Sequence, residues 1–513
     1  MLSISKIEMI TSNGIYEAYQ NNNIFSYDDL EVHIENDFSI KISGGVTELK
    51  YVNIEFNFLL SAKVLVLGDT WERAYGDLRW KKPDNMPMPW YFIAKDNDKI
   101  YAFGVETQPD ALCFWKCSGN KILLTIDVRN GSLPLQLNGR TLNACTVVSE
   151  EYNSDTYLSI HSFCKKMCKN PRLPDRAVYG GNDWYCNYGN NSYEKILKHT
   201  RRVVECSPKN APKPYMVIDD GWEICHHQSA DDNEYFNGGP WKYCNNNFGD
   251  MQKVAEKIEK IGAIPGIWFR PLWTTEKVPE EWVLRKNGIK LTLDPSVPAV
   301  LEKVKEDTKC LVDWGYKLIK HDFSSFDIFG QWGFEMTEEL FKNETVFANK
   351  TKTTAEIIKN FYQVIRDAVG DDVLIMGCNT MSHLSAGVFD IQRTGDDTSG
   401  LDFERTKKYG INTLAFRMCQ HNAFYAVDAD CVGITKHIGW EKNRQWLDLL
   451  SKSGTPLFVS IAEDCYTDEI KKDIAFAMER ASKMVQPSKP VDWLETRMPR
   501  MWESVYGTDE YNW

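Results

Sequence analysis

The chain reads as a multidomain α and β protein, an N-terminal antiparallel β-sandwich followed by a (β/α)8 TIM barrel. Three observations predict this. Up to about residue 165, short runs of alternating character recur between Asn, Asp and Gly turns. Beyond Pro171 and Pro174, in CKNPRLPDRA, short apolar strands alternate with amphipathic helices. The length, 513 residues, also exceeds what one hydrophobic core usually serves.

The sandwich strands are EVHIEN, SIKISG, VNIEFNFLL, KVLVLG, KIYAFGVE and KILLTIDV, which show little helical periodicity. They assign residues 1–168 to the first domain. The barrel strands are AVYGGNDW, YMVIDDGW, IPGIWFRP, YKLIKHDF, VLIMGC, FDIQRTGDD, FYAVDADCV and TPLFVSI. Helices such as SYEKILKHTRRVVE, DMQKVAEKIEKIG and TTAEIIKNFYQVIRDAVG lie between them. Strict strand–helix alternation through residues 169–485 favours a closed barrel over an open doubly wound sheet. No GxGxxG or GxxxxGK[ST] follows a strand, which argues against nucleotide binding. Residues 486–513 are too few for a domain and read as a tail or the start of a short β-domain.

Composition narrows the function. A formal charge of -12 argues against a large phosphate-binding surface, so no nucleic-acid partner is expected. No stretch is apolar for long enough to span a membrane, and the N-terminus lacks a secretory signal. The 14 cysteines are scattered singly and without CxxC, which suggests buried thiols in a reducing, cytoplasmic setting rather than disulfides or zinc. Aromatic residues make up 12% of the chain, and aromatic faces are what the C–H patches of sugars stack on.

In a barrel of this kind the active site assembles at the carboxyl ends of the strands. Those ends carry Asp183 and Trp184, Asp219 and Asp220, Trp268 and Arg270, Lys320 and Asp322, Cys378, Arg393 and Asp397, and Asp428 and Asp430. Any one Asp at a strand end is explained by a helix cap or a turn; the set is not. Glycoside hydrolysis needs two carboxyl groups flanking one bond. Strand residues two apart face the same way, so Lys320 should hold Asp322 ionised, while His321 points outward as a packed polar residue. In QRTGDD, Gly395 permits a sharp turn and a close backbone approach to ligand. A carboxyl beside a second carboxylate acquires the raised pKa of an acid/base, and spacing leaves Asp396 and Asp397 as rivals.

The order WY, IDDGW, PGIW, K-x-D-F, GC, R-x-G-x-D resembles the α-galactosidases of glycoside hydrolase family 36 over residues 175–465. The resemblance implies a retaining exo-glycosidase acting on terminal α-galactosides, with an oligosaccharide substrate and no metal or organic cofactor. Asp322 would be the nucleophile and Asp397, rather than Asp396, the acid/base. It further implies that Asp219 and Asp220 hold the axial O4 and the O6 of galactose. Trp184 and Trp268 would shape the sugar pocket, and Lys320, Cys378 and Arg393 would line the remaining hydroxyls. Three carboxylates near a histidine could suit a divalent cation, but Lys320 and Arg393 oppose one.

The chain departs from the family pattern at GQWGFEMTEELFKNETVFANK, which is longer than expected and remodels the leaving-group side. It also stops where relatives continue into a C-terminal β-domain, so a homo-oligomer is allowed for without contacts being assigned. The segment GDTWERAYGDLRW, residues 68–80, reads either as a packed sandwich loop or as a loop over the barrel mouth bringing Trp71, Arg73 or Trp80 to substrate. Alternative activities are an α-N-acetylgalactosaminidase, a raffinose-type transglycosylase, and an inactive carbohydrate-binding homologue. The last has no need of two catalytic carboxylates.

Overall fold

The computed structural model describes residues 3–118, 121–228 and 235–513. The N-terminal strands form two antiparallel sheets. One has six strands, centred on Leu49–Asn57 and Lys121–Asp127; the other has eight, centred on Ser39–Ser43 and Thr141–Tyr152. The alternating runs explain why both stand. In Leu30–Ile34 and Ser39–Ser43 every second side chain is buried and the rest face outward. Trp115 of the first sheet meets Phe92 and Phe103 of the second, with ring centroids 6.0 and 6.4 Å apart. A helix, Thr156–Met167, follows the last strand and starts on the Asp155 side chain, which accepts from the Leu158 N–H.

The second half is built on nine parallel strands. In spatial order they are Ala426–Asp428, Ile391–Arg393, Leu374–Gly377, Leu318–His321, Ile264–Phe269, Tyr215–Ile218, Tyr179–Asn182, Leu457–Ile461 and Val432–Ile434. Their near-continuous burial, as in Tyr215–Ile218 and Leu318–His321, is what an apolar run with both faces covered produces. The covering helices carry their own start and stop signals. Ser192 caps Tyr193–Cys206, Asp250 caps Met251–Ile261, and Thr353 with Glu356 forms a capping box on Thr354–Val369.

All eight expected strands of this half are present, but FYAVDADCV is not one strand. It splits into Ala426–Asp428 and Val432–Ile434, the two edges of the sheet, because Asp430 adopts a left-handed φ of 73°. That conformation interrupts the ladder and turns the Asp430 carboxylate inward. At the C-terminus, Lys489–Pro490, Met501–Ser504 and Gly507–Glu510 form a small antiparallel sheet. Among the described residues no helix is long and apolar enough to cross a membrane.

Candidate active site

The carboxyl ends of the parallel strands converge on a polar mouth. Lys320 is buried, and its ammonium donates to Asp219 Oδ2 at 2.7 Å. Burial works against that charge, but the Asp219 carboxylate outweighs it and holds Lys320 protonated. Asp219 also accepts from Asn182 Nδ2 at 2.6 Å, and Asp183 Oδ1 accepts from the Asp219 N–H at 2.7 Å. Asp183 therefore braces the neighbouring strand end, and burial pushes its pKa up to about 6.

This corrects one expectation. The direct partner of Lys320 is Asp219 rather than Asp322. Asp322 is held instead by Trp268, whose Nε1 donates at 3.0 Å, and by the backbone N–H of Phe323 at 2.7 Å. The strand geometry still puts Lys320 and Asp322 in electrostatic contact, but the shorter reach across to Asp219 takes the ammonium. Trp268 itself is 1% exposed, with its ring edge-on to Trp241 and Phe323. Trp184 is half-buried, next to Tyr188 at a centroid distance of 5.5 Å. His321 points away from the mouth, enclosed by Phe361, Tyr362 and Phe389, and burial pushes its pKa down to about 3.

Asp220 lies in a second polar group. Its Oδ1 meets His226 Nδ1 at 3.1 Å and its Oδ2 accepts from Asn237 Nδ2 at 3.0 Å. Asn237 Oδ1 in turn accepts from Arg270 at 2.7 Å, and Arg270 pairs with Asp327. Among the described residues, Asp220, Glu223 and His226 form the one group with metal-ligand chemistry, their ligand atoms within 4.8 Å of one another. Burial lowers the His226 pKa, but hydrogen bonds to Asp220 and Glu223 raise it to about 10, so the ring is held as an imidazolium between the two carboxyl groups.

Arg393 is buried at 1% exposure between carboxylates. Its Nη2 lies 3.0 Å from Asp430 and 3.3 Å from Asp397, and its Nη1 donates to Cys378 Sγ at 3.5 Å. Asp430 also accepts from Tyr185 and from the Thr398 N–H. Asp397 keeps 36% of its side chain exposed, the most open of these carboxylates. Burial raises its pKa, but Arg73, Arg393 and Lys320 together hold it below the ordinary carboxylate range. The raised pKa that a neighbouring carboxylate would give, as the sequence suggested, is thus overturned by the surrounding cations, Arg405 among them. Gly395 serves a close approach of protein to protein: a Cβ there would lie 2.1 Å from the carbonyl oxygen of Tyr409.

The segment at 68–80 reaches the mouth. Ala74 N–H donates to Thr394 O at 2.8 Å and Asp396 N–H to Ala74 O at 3.0 Å. Arg73 then pairs with Asp396 at 2.7 Å and approaches Asp397 at 3.5 Å. Trp71 and Trp80 instead pack in the core, against Trp90 and Trp493. From 330–350, Trp332 comes to the Arg73 guanidinium, 5.7 Å from ring centre to Cζ.

No protein-family model matches the chain. Solved structures do. TtGalA, an α-galactosidase from Thermus thermophilus in complex with p-nitrophenyl α-D-galactopyranoside, matches with a TM-score of 0.61 at 15% identity, covering 99% of this chain and 99% of that chain. The chain has the fold of α-galactosidases. The galactosidase domain of the α-galactosidase–sucrose kinase AgaSK matches with a TM-score of 0.64 at 14% identity, over 97% of this chain and 78% of that one. A family 36 α-galactosidase from Geobacillus stearothermophilus, a variant of AgaA in complex with 1-deoxygalactonojirimycin, gives 0.62 at 12%, over 97% and 78%.

Sequence reasoning put Asp430 at a strand end without assigning it a site role, and it missed Glu223, His226 and Tyr185 altogether. The first two follow Asp220 closely in DGWEICH, but nothing in that spacing marks them as its partners. Tyr185 meets Asp430 across 245 residues, a pairing with no local signal.

Proposed function

We propose that the chain is a retaining exo-glycosidase that hydrolyses terminal α-galactosides of oligosaccharides by double displacement. The observation that carries this reading is the pair Asp322 and Asp397, two carboxylates in different states of attachment that both feel the charge of Lys320. Asp322, fixed by two N–H donors, is oriented as a nucleophile; Asp397, more exposed, is placed to exchange protons. Asp397 protonates the glycosidic oxygen as Asp322 attacks the anomeric carbon, forming a covalent galactosyl-enzyme and releasing the leaving group. Asp397 then takes a proton from water, whose oxygen attacks the same carbon and frees Asp322 and α-galactose.

Asp219 and Asp220 are read as acceptors for the sugar O4 and O6, with Lys320, Cys378 and Arg393 around the other hydroxyls. Exo-action is supported by burial: Asp219, Lys320 and Arg393 are enclosed while Asp397 opens outward, as a pocket for one terminal sugar requires. TtGalA has been crystallised with stachyose and a variant of AgaA with raffinose, which supports an oligosaccharide substrate here. We further read the nine strands as a closed (β/α)8 barrel whose seventh position is split, and 1–168, 169–485 and 486–513 as its units. Fourteen unpaired cysteines support a reducing, cytoplasmic setting.

The deciding experiment is Asp322→Gly assayed with azide and p-nitrophenyl α-galactoside. A β-galactosyl azide is expected. A parent enzyme that cleaves an α-glucoside or α-N-acetylgalactosaminide and spares the α-galactoside would overturn the substrate assignment, and an α-azide product the mechanism.

A further inference from the structure

Arg73 belongs to a connection of the N-terminal sheets, between Leu65–Gly68 and Met88–Pro89, yet its guanidinium ends among the loops of the parallel strands. The surrounding bonds leave it little freedom. Glu72, wholly buried, accepts from Tyr75, Ser325, Asn379 and the Gly333 N–H, and so ties the segment to the short helix Ser324–Phe329 and to two loops. Gly76, at a φ of 76°, lets the chain pass the Lys408 backbone, where a Cβ would lie 2.6 Å from the carbonyl oxygen. Arg73 Nη2 is 2.7 Å from Asp396, while Nη1 is 3.5 Å from Asp397 and 3.4 Å from Cys378 Sγ. Tyr75 and Trp332 flank the guanidinium at 5.8 and 5.7 Å. The cation thus sits between two adjacent carboxylates that would otherwise repel, with Arg405 on the outer oxygen of Asp396 at 3.5 Å.

We propose that Arg73 is a positioning residue for Asp397: by clamping Asp396 with one nitrogen and contacting Asp397 with the other, it keeps the two carboxyls apart and directs Asp397 toward the leaving-group oxygen. The proposal rests on reading Asp397 as the acid/base. As a cation beside Asp397, Arg73 also opposes its protonation, so the titration of this carboxyl reports the contact directly. The groups facing Asp397 are Arg73, Arg393, Lys320 and Arg405 on the positive side, and Asp396, Asp430 and the phenols of Tyr185 and Tyr188 on the other. The first four prevail.

The test follows the titration of Asp397 in the full-length chain by NMR of [13Cγ]aspartate, the signal being assigned by its absence from Asp397→Asn. In Arg73→Met the midpoint should rise by about one unit or more, and Arg73→Lys should return it toward the parent value. The basic limb of kcat/KM on p-nitrophenyl α-galactoside should move upward in parallel, which loss of packing alone would not produce. Asp396→Asn, which keeps Arg73 and removes its anionic partner, should lower the midpoint. An unchanged midpoint in Arg73→Met, or a rise in Asp396→Asn, would overturn the proposal. A parent enzyme inactive on every α-glycoside would refute the activity reading while the titration still decided the role of Arg73.

Discussion

At the scale of single residues, charge placement in this molecule is a contest between burial and partners. Lys320 and Arg393 remain ionised in the interior because Asp219 and Asp430 stand 2.7 and 3.0 Å away. His321 shows the opposite outcome: among the described residues neither ring nitrogen has a hydrogen-bond partner, and burial pushes its pKa down to about 3. The unfolded chain binds a proton at this histidine below about pH 6.5, whereas the folded chain refuses it until about 3. Between those values unfolding takes up protons, so His321 drains stability as the pH falls from about 6.5 toward 3. His321→Leu should therefore narrow the gap between urea midpoints measured at pH 7.5 and pH 5. A gap as wide as that of the parent would show that the imidazole is not the cause.

At the scale of elements, the site depends on where strands and loops stop. The seventh strand of the parallel sheet breaks at Asp430, and the break delivers the carboxylate that holds Arg393. The docking of 71–76 on 394–396 depends on Gly76, whose left-handed φ and contact with Lys408 leave no room for a Cβ. Gly76→Ala should cost about 1 kcal/mol or more in backbone strain. Because the strain falls on the segment carrying Arg73, we expect kcat/KM on raffinose to fall by about tenfold or more while far-UV circular dichroism is unchanged. Parent-like turnover would show that the docked conformation is not needed.

At the scale of the whole molecule, the sheets and the parallel-strand half share one large interior, while a second, smaller apolar cluster that includes Val217, Leu318 and Phe458 lies among the parallel strands. Buried side chains from Ile7 through Trp115, Trp268 and Phe389 to Trp502 belong to one continuous hydrophobic cluster. Arg417 adds a buried pair with Asp69 across the two halves, and Trp493 packs on Trp80 and Phe416. Shared apolar burial of this kind couples the halves, so calorimetry should record one unfolding transition rather than two. Two well-separated peaks would show that the halves unfold independently.

The strands and helices were legible in the sequence, since alternation and periodicity report which faces are buried and do so locally. The polar strand ends were legible for the same reason: an Asp or Lys closing an apolar run has few structural excuses when it recurs at strand after strand. Which partner each of those groups takes was not legible. Lys320 bonds Asp219 across 101 residues, Asp397 is held down by a cation from position 73, and Tyr185 meets Asp430 across 245. The sequence by itself determined the elements and the inventory of charges. The tertiary structure alone decided their pairing, because Coulomb and hydrogen-bond energies act over a few ångströms of space, and the chain brings distant positions within that range only once the whole is folded.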